Sequence, residues 1–376
     1  MKILVLGGAG CMGNAIVRDL LESSKVSEVI VGDIDISKAE MLIKELNNPK
    51  VTTAYVNAAD HSVLVKALKD VDVLVNATWY YFNVLVMEAA IEAKVHYLDL
   101  GGLYHKTLEQ LKLSERVKGA GLTHILGMGA SPGITNVLAR HGAERLDDVE
   151  EIHIRAGQVG GGISYSIRTI IDELTMRPVI YENGEFKYVD PLTGEEIIEF
   201  PEPVGRVKAY YSLHSEIATL PYNIKGVKTV DFKVAFHPDI YSDFKVLNKL
   251  GFTSTEPIKV GEVTVKPRDV LFAILSSMPY EPTETFALRV TVTGRRKSKK
   301  TECIFELVAY PRKDWKAGGV AVATGVSASI VAQMLGSGEI EIKGAVPPEV
   351  CIDPNPFIQE LAKRNLKVME KPEECL

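Results

Sequence analysis

The sequence predicts an α/β protein: a Rossmann-like doubly wound parallel sheet with a second α+β domain built on a mixed or antiparallel sheet. Three observations carry that expectation. The apolar run Ile3–Leu6 leads into Gly8-Ala9-Gly10-Cys11-Met12-Gly13 and then into a helical pattern at Ala15, Ile16, Leu20 and Leu21. Strand-like runs and helical patterns then alternate to about position 130. From Glu151 to about Pro311 the texture changes to short, alternating β-rich segments, separated by turn signals such as Asn183-Gly184, Thr193-Gly194 and Lys225-Gly226.

Each element has a local reason. Ile3–Leu6 is continuously apolar, as a strand covered on both faces of a parallel sheet should be. Lys2 plus an apolar run could also open an export signal, but three glycines inside that stretch argue against one. In the G-x-G-x-x-G, Gly8 permits a tight turn, Gly10 lets backbone N–H groups approach a pyrophosphate, and Gly13 allows close helix–strand contact. Val29–Gly32 is the second strand. Asp33 ends it about 20 residues beyond the last glycine, where an acidic side chain accepts hydrogen bonds from the adenosine ribose. Ile34 and Asp35 follow, with no arginine for a 2′-phosphate; this favours NAD, while Lys38 keeps NADP possible. Asp35 also suits a helix N-cap. Next come a strand at Val51–Val56, a helix from Asp60 to Leu68, a strand at Val71–Val75, and a helix at Val84–Ala93. A strand at His96–Leu98, a helix at Leu108–Ala120 and a strand at Thr123–Gly127 complete the pattern. Ligands of such sheets sit at the carboxyl ends of strands, which adds Asn57, Ala58, Ala77, Thr78 and Trp79 to the candidate cofactor contacts.

In the second half, strands are expected at Glu151–Arg155, Glu196–Glu199, Thr229–Phe236, Ala287–Thr293 and Cys303–Tyr310. The basic run Arg295–Lys300 lies between two of them and reads as a solvated hairpin end rather than a nucleic-acid patch. Val320–Gly336 reads as a small-residue helix packed closely on a neighbour. A helix at Pro356–Arg364 and a strand at Lys367–Met369 close the chain. The expected division is a Rossmann domain over 1–130, a substrate-binding domain over 131–345, to which the resemblance given below adds dimerisation, and a segment over 346–376 returning to the Rossmann domain.

Composition narrows the class. With 376 residues and 46% hydrophobic content the chain can bury more than one core. A net charge of −6 gives no field to recruit nucleic acid or an anionic membrane. The four cysteines, Cys11, Cys303, Cys351 and Cys375, show no ligand spacing, so no metal site is expected and a reducing cytoplasm suits them.

Gly127-Met128-Gly129-Ala130-Ser131-Pro132-Gly133-Ile134-Thr135-Asn136 follows a strand and opens a helix at the domain junction, placing Ser131 and Pro132 among the cofactor-side candidates. Further recognisable stretches are Asn76-Ala77-Thr78, His96 to Gly102, Tyr210-Tyr211-Ser212-Leu213-His214-Ser215-Glu216, and Ala323-Thr324-Gly325-Val326-Ser327. Together they resemble the saccharopine dehydrogenase-like oxidoreductases over nearly the whole chain, most nearly the branch holding L-lysine 6-dehydrogenase. The junction loop departs from the family pattern at Ser131, where an acidic residue is common, and at Asn136, where saccharopine-forming members often carry histidine; both point away from saccharopine. The resemblance implies a homodimer built on the second domain's sheet and NAD(P) chemistry at a C–N bond of an amino-acid substrate, with oxidative deamination of the lysine ε-amine as the leading expectation. Alternatives are a saccharopine or carboxynorspermidine reductase-type enzyme joining an amine to a carbonyl, and a non-catalytic dinucleotide sensor.

Amine oxidation needs a neutral amine, a group to take its proton and a group to activate water. His214 and Glu216, on one side of an extended segment, are the leading candidates. His214 could equally be a structural histidine. Asp99, at a strand's carboxyl end, could bind the substrate amine or cap the turn before Gly101. Tyr165, Arg168 and Asp172 fall at helical spacing, and Arg168 could hold a substrate carboxylate or simply form a surface pair with Asp172. A tricarboxylic ligand such as saccharopine would need several of Arg155, Arg168, Arg177, Arg206, Arg268 and Arg289 around one cavity.

Overall fold

The computed structural model describes residues 1–161, 166–278, 281–371 and 374–375. Its first layer is a seven-stranded parallel sheet. Six strands come from the start of the chain: β1 (Lys2–Leu6), β2 (Glu28–Asp33), β3 (Val51–Tyr55), β4 (Val73–Asn76), β5 (His96–Asp99) and β6 (Thr123–Ile125). Ile3, Val5, Val29, Val31, Val73 and Val75 are fully buried, the β-branched lining expected of a sheet covered on both faces. The order β3-β2-β1-β4-β5-β6 changes direction at β1, so a crevice opens between the carboxyl ends of β1 and β4.

The seventh strand, Gly344–Val346, pairs with β6. The helix Gly319–Gly336 also belongs to this layer, lying against α1 (Cys11–Glu22). A Cβ on Gly325 would sit 2.6 Å from the Ala15 Cβ and 2.9 Å from backbone atoms of Ala15 and Ile16, so the small residues permit the helices' close approach. This helix is long and apolar enough to cross a membrane by length and composition, and 94% of its apolar window is buried inside the fold. The return to the Rossmann layer therefore begins before position 346, earlier than the sequence suggested. The tail also ends elsewhere: Val368–Glu370 pairs with Lys299–Ala309 in the second sheet.

That second sheet has ten strands among the described residues. Asp148–Val159 lies at its middle, parallel to Thr229–Ala235 and antiparallel to Thr285–Arg296. Thr285–Arg296 and Lys299–Ala309 form one hairpin, its two-residue turn Lys297-Ser298 at φ 49° and 67°. The basic run is thus the exposed end of a hairpin. Asn183-Gly184, at φ 54° and 82°, closes a second hairpin.

Two readings need correction. The expected helix Leu108–Ala120 is two helices, Leu103–Leu111 and Ser114–Gly119. Pro238–Lys249 and Pro267–Ser276 are helices the sequence pattern did not reveal, each with proline in its first turn. Val246, Leu250 and Ile274 are 56%, 65% and 54% exposed in or next to these helices, so no consistent buried stripe marks either segment.

Candidate functional site

The glycine-rich turn is built by backbone crowding. Gly7, rather than Gly8, takes the positive φ of 76°. Gly8 is required for approach, since its Cβ would lie 2.8 Å from the Val5 carbonyl oxygen. A Cβ on Gly13 would lie 2.2 Å from the Gly7 carbonyl oxygen and 2.6 Å from the Gly8 Cα. Gly10 is the N-cap of α1, whose first turn, Cys11-Met12-Gly13, aims its N-terminal dipole at the crevice. Asp33 is half-buried at the end of β2. Its carboxylate accepts the Ala9 N–H at 3.1 Å and the Asp35 N–H at 3.0 Å, tying the turn to the neighbouring strand. Asp35 caps the next helix through the Lys38 N–H, and the Lys38 ammonium lies 3.5 Å from it. Ile34 is 62% exposed beside them. Asn57 holds the Ala59 N–H at 3.0 Å, and Ala58 is buried. Ala77 and Thr78 continue β4, with the Thr78 hydroxyl donating to Asn76 at 2.6 Å. The cradle that a Cβ would fill, the helix N-terminus and the acidic strand end fit a dinucleotide.

From this crevice a cleft runs into the second domain, with a volume of about 1020 Å³ including its open mouth. Met12, Ala77, Thr78, Leu100, Gly101, Ser131 and Pro132 line the Rossmann side; Gln158, Thr169, Glu173, His214, Phe232 and Phe286 line the other. His214 and Glu216 are both buried, and the His214 Nδ1 is hydrogen-bonded to one Glu216 carboxylate oxygen. The other oxygen accepts the Ser131 and Thr135 hydroxyls, each at 2.8 Å. The imidazole stacks on Phe232 with ring centres 3.7 Å apart. Burial would lower the His214 pKa, but the Glu216 charge and hydrogen bond, with the Glu173 charge, outweigh it and raise it above its ordinary value. Burial would raise the Glu216 pKa; its contacts with His214, Thr135 and Ser131 outweigh that and hold it below the usual carboxylate range. The pair is therefore a carboxylate-oriented imidazole in the cleft wall, with Nε2 as the nitrogen that Glu216 does not engage.

Other candidates are placed differently. Asp99 is buried and does not line the cleft. It accepts the Gly101 and Gly127 N–H groups at 2.8 and 2.9 Å, the Tyr97 hydroxyl at 2.9 Å and the Gln110 amide at 2.5 Å. It ties the β5 and β6 loops together and caps the turn before Gly101, the second of its two expected readings, and stands outside the lining where an amine would bind. Arg168 does not line the cleft either; its guanidinium lies over Trp79 at 4.9 Å and over Phe272 at 3.8 Å. Asp172 is buried and pairs with Arg268 and the Tyr80 hydroxyl rather than with Arg168. Tyr165 lies outside the described residues. Trp79 stacks on Tyr81 at 4.3 Å, and its indole N–H is buried without a hydrogen-bond partner among the described residues.

Sequence reasoning missed Glu173, 5% exposed, and the neighbouring Thr169 and Gln158. The helix Ile167–Thr175 was registered on Arg168 and Asp172, one residue short of the face that meets the cleft. Among the described residues no lysine or arginine lines the cleft. Arg155 pairs with Asp231 and Glu196, Arg177 with Asp190, Arg268 with Asp172, and Arg289 with Glu306; Arg206 is exposed.

Comparison with known proteins agrees with this arrangement. The model of the saccharopine dehydrogenase NADP binding domain matches residues 3–125, and that of the saccharopine dehydrogenase C-terminal domain matches residues 129–366. Carboxyaminopropylagmatine dehydrogenase of Synechocystis is 25% identical over 386 residues, covering 97% of this chain and 96% of that protein. Carboxynorspermidine synthase of Vibrio alginolyticus is 28% identical over 397 residues, covering 96% and 94%. The solved structure of apo saccharopine dehydrogenase (L-Glu forming) from Saccharomyces cerevisiae superposes with a TM-score of 0.75 at 19% identity, covering 98% of this chain and 99% of that one. Homospermidine synthase of Legionella pneumophila, solved with NAD, gives 0.65 at 14% identity, covering 98% and 90%. These relatives bear out an NAD(P)-dependent oxidoreductase of C–N bonds and stand nearer to the amine-condensing alternative than to lysine ε-deamination. With its fingerprint turn, its cleft and both domain models in place, the chain belongs to the saccharopine dehydrogenase family of NAD(P)-dependent dehydrogenases.

Proposed function

We propose that the protein catalyses the NAD(P)H-dependent joining of a di- or polyamine to a carbonyl compound bearing a carboxylate, and the reverse oxidation of the resulting carboxylated secondary amine. The observation that carries this reading is the charge of the cleft: Glu173 stands on its wall beside the mutually paired His214 and Glu216, and no described lysine or arginine lines it. Such a lining suits a cationic chain and leaves a tricarboxylic ligand unpaired. The names of the curated relatives, carboxynorspermidine and carboxyaminopropylagmatine enzymes, support it.

The chemistry balances as follows. The amine adds to the carbonyl and water leaves, giving an imine; protonation and hydride delivery to its carbon give the secondary amine. The nicotinamide, when bound, supplies that hydride. Gly8, Gly10 and Gly13 with Asp33 would hold the dinucleotide, and Ala77 and Thr78 would flank its reactive end. His214, kept protonated above the ordinary imidazole range by Glu216, donates the proton that makes the imine electrophilic and takes it back in the reverse direction. Glu173 pairs with a cationic nitrogen of the amine chain and so orients it. Phe232 and Phe286 give its methylene segments an apolar wall and exclude water.

The test is NADH and NADPH oxidation by purified protein with small aldehydes bearing a carboxylate, paired with diaminopropane, putrescine, agmatine or lysine. Product mass identifies the joined amine. Turnover with a diamine or agmatine supports the proposal. With NAD or NADP in place of the reduced cofactor, reduction by lysine alone with release of ammonia would restore the deaminating reading, and reduction by saccharopine would refute the charge argument.

A further inference from the structure

Two consecutive residues after β4, Trp79 and Tyr80, each meet the second domain through one side chain of the helix Ile167–Thr175. Arg168 covers Trp79 at 4.9 Å and Phe272 at 3.8 Å. One helical turn on, Asp172 accepts the Tyr80 hydroxyl at 2.7 Å with one oxygen and the Arg268 guanidinium with the other. Arg268 and Phe272 are likewise one turn apart on Pro267–Ser276. The result is two parallel rungs, Trp79–Arg168–Phe272 and Tyr80–Asp172–Arg268, joining the cofactor-side turn, the cleft-wall helix and the outlying helix. The second rung is buried at its centre: Tyr80 is 8% exposed and Asp172 4%. The residue after each rung member on the middle helix, Thr169 and Glu173, lines the cleft.

We propose that these rungs form an interdomain clasp that fixes the substrate-side helix against the cofactor-binding turn. Cofactor seated on that turn then tightens the cleft wall, and Tyr80, Asp172 and Arg268 act as positioning residues rather than catalytic ones. The geometry favours this over a passive brace because Tyr80 lines the cleft while its hydroxyl holds Asp172. The rung therefore connects a cofactor-side surface to the two helices through one buried carboxylate, and loss of one partner leaves the others unsatisfied.

The experiment is amide hydrogen exchange on the full chain, with and without NADH or NADPH, in the wild type, Tyr80→Phe and Arg268→Gln. It needs no substrate, so its outcome is independent of which amine the enzyme joins. In the wild type, cofactor should slow exchange at least tenfold in α1 and also in the helices at 167–175 and 267–276. In both variants the slowing in α1 should persist and that in the two distant helices should be lost. Cofactor Kd, read by titration, should change less than threefold. Arg268 lies away from the cleft, so Arg268→Gln keeps the test valid if Tyr80→Phe is unstable. Wild-type protection confined to α1, or variants that respond to cofactor as the wild type does, would overturn the clasp.

Discussion

The two halves of the molecule make their sites in opposite ways. In the Rossmann half, function is written in the backbone: a turn that admits no Cβ at Gly8 or Gly13, a helix N-terminus and an acidic residue at one strand end. These lie within the first 33 residues and are readable as spacing. In the second half, function is written in side chains brought from far apart. Glu216 meets Ser131 and Thr135 across more than eighty positions, and Glu173 reaches the same cleft from another helix. Backbone sites tolerate no substitution at a few positions; side-chain sites tolerate change in proportion to the charge or hydrogen bond lost.

The largest effect per atom added should therefore follow the smallest substitution, Gly13→Ala. Its new methyl would meet only backbone, which cannot rotate aside, at 2.2 and 2.6 Å. Overpacking of about 1–3 kcal/mol converts to a loss of cofactor affinity of up to about 100-fold or a matching fall in stability. Gly10→Ala meets one protein oxygen at 3.2 Å, so it should be far milder on the melting temperature. Fluorescence titration with NADH and thermal melts of both variants decide it. Equal losses of melting temperature at the two positions would break the backbone reading of this half.

Next comes the imidazole pair. His214→Ala should lower kcat by about 10²–10⁴-fold, the usual range for a general acid–base group. Glu216→Gln is the sharper variant because its sign can be worked out. Glu216 supplies the charge that raises the His214 pKa, whereas burial acts to lower it. With the charge removed, burial prevails, so the alkaline limb of the reductive pH–rate profile moves to lower pH. The same raised pKa stabilises the fold below the ordinary histidine value near ~6.5, a contribution lost as pH rises through the folded-state pKa. An unmoved limb in Glu216→Gln would remove His214 from the proton path.

Glu173→Gln should be smaller and more selective. A charge-assisted hydrogen bond is worth about 1.5–3 kcal/mol, so KM for the amine should rise about 10–100-fold. The aldehyde KM and cofactor affinity should hardly change. A rise in the aldehyde KM instead would place the carboxylate-bearing partner at this wall and reverse the proposed orientation.

How much was legible follows the same division. The six early strands, the fingerprint and the Asp35 cap were read correctly because each rests on contacts within a few residues. His214 and Glu216 were named as an i, i+2 pair, but the partners that set their charge are remote, and no spacing announces Ser131 or Thr135 as their donors. Asp99 stayed open between two readings because a carboxylate at a strand's carboxyl end has the same letters whether it faces a ligand or, as here, caps a turn and gathers four internal donors. Arg168 misled by one residue of helix register, a shift of about 100° around the axis. The helix Gly319–Gly336 was foreseen as closely packed, yet its partner α1, about three hundred residues earlier, is a tertiary fact.

The smallest prediction tests whether a locally coded feature in the second half behaves like those in the first. The turn between Thr285–Arg296 and Lys299–Ala309 places Lys297 and Ser298 at φ 49° and 67°, a left-handed pair that side chains other than those of glycine and asparagine resist. Lys297→Asn with Ser298→Gly should relieve about 1–2 kcal/mol of that resistance, partly offset by about 0.5–1 kcal/mol of added glycine freedom in the unfolded chain. The backbone N–H of residue 297 would still donate to Asp147, now at 2.6 Å, so the register is kept. The net gain is a rise of about 1–3 °C in Tm with kcat and KM unchanged. A fall in Tm would mean that the long side chains of the basic run stabilise the hairpin more than its backbone strains it. Local spacing would then be a weaker guide in this half than in the dinucleotide fold.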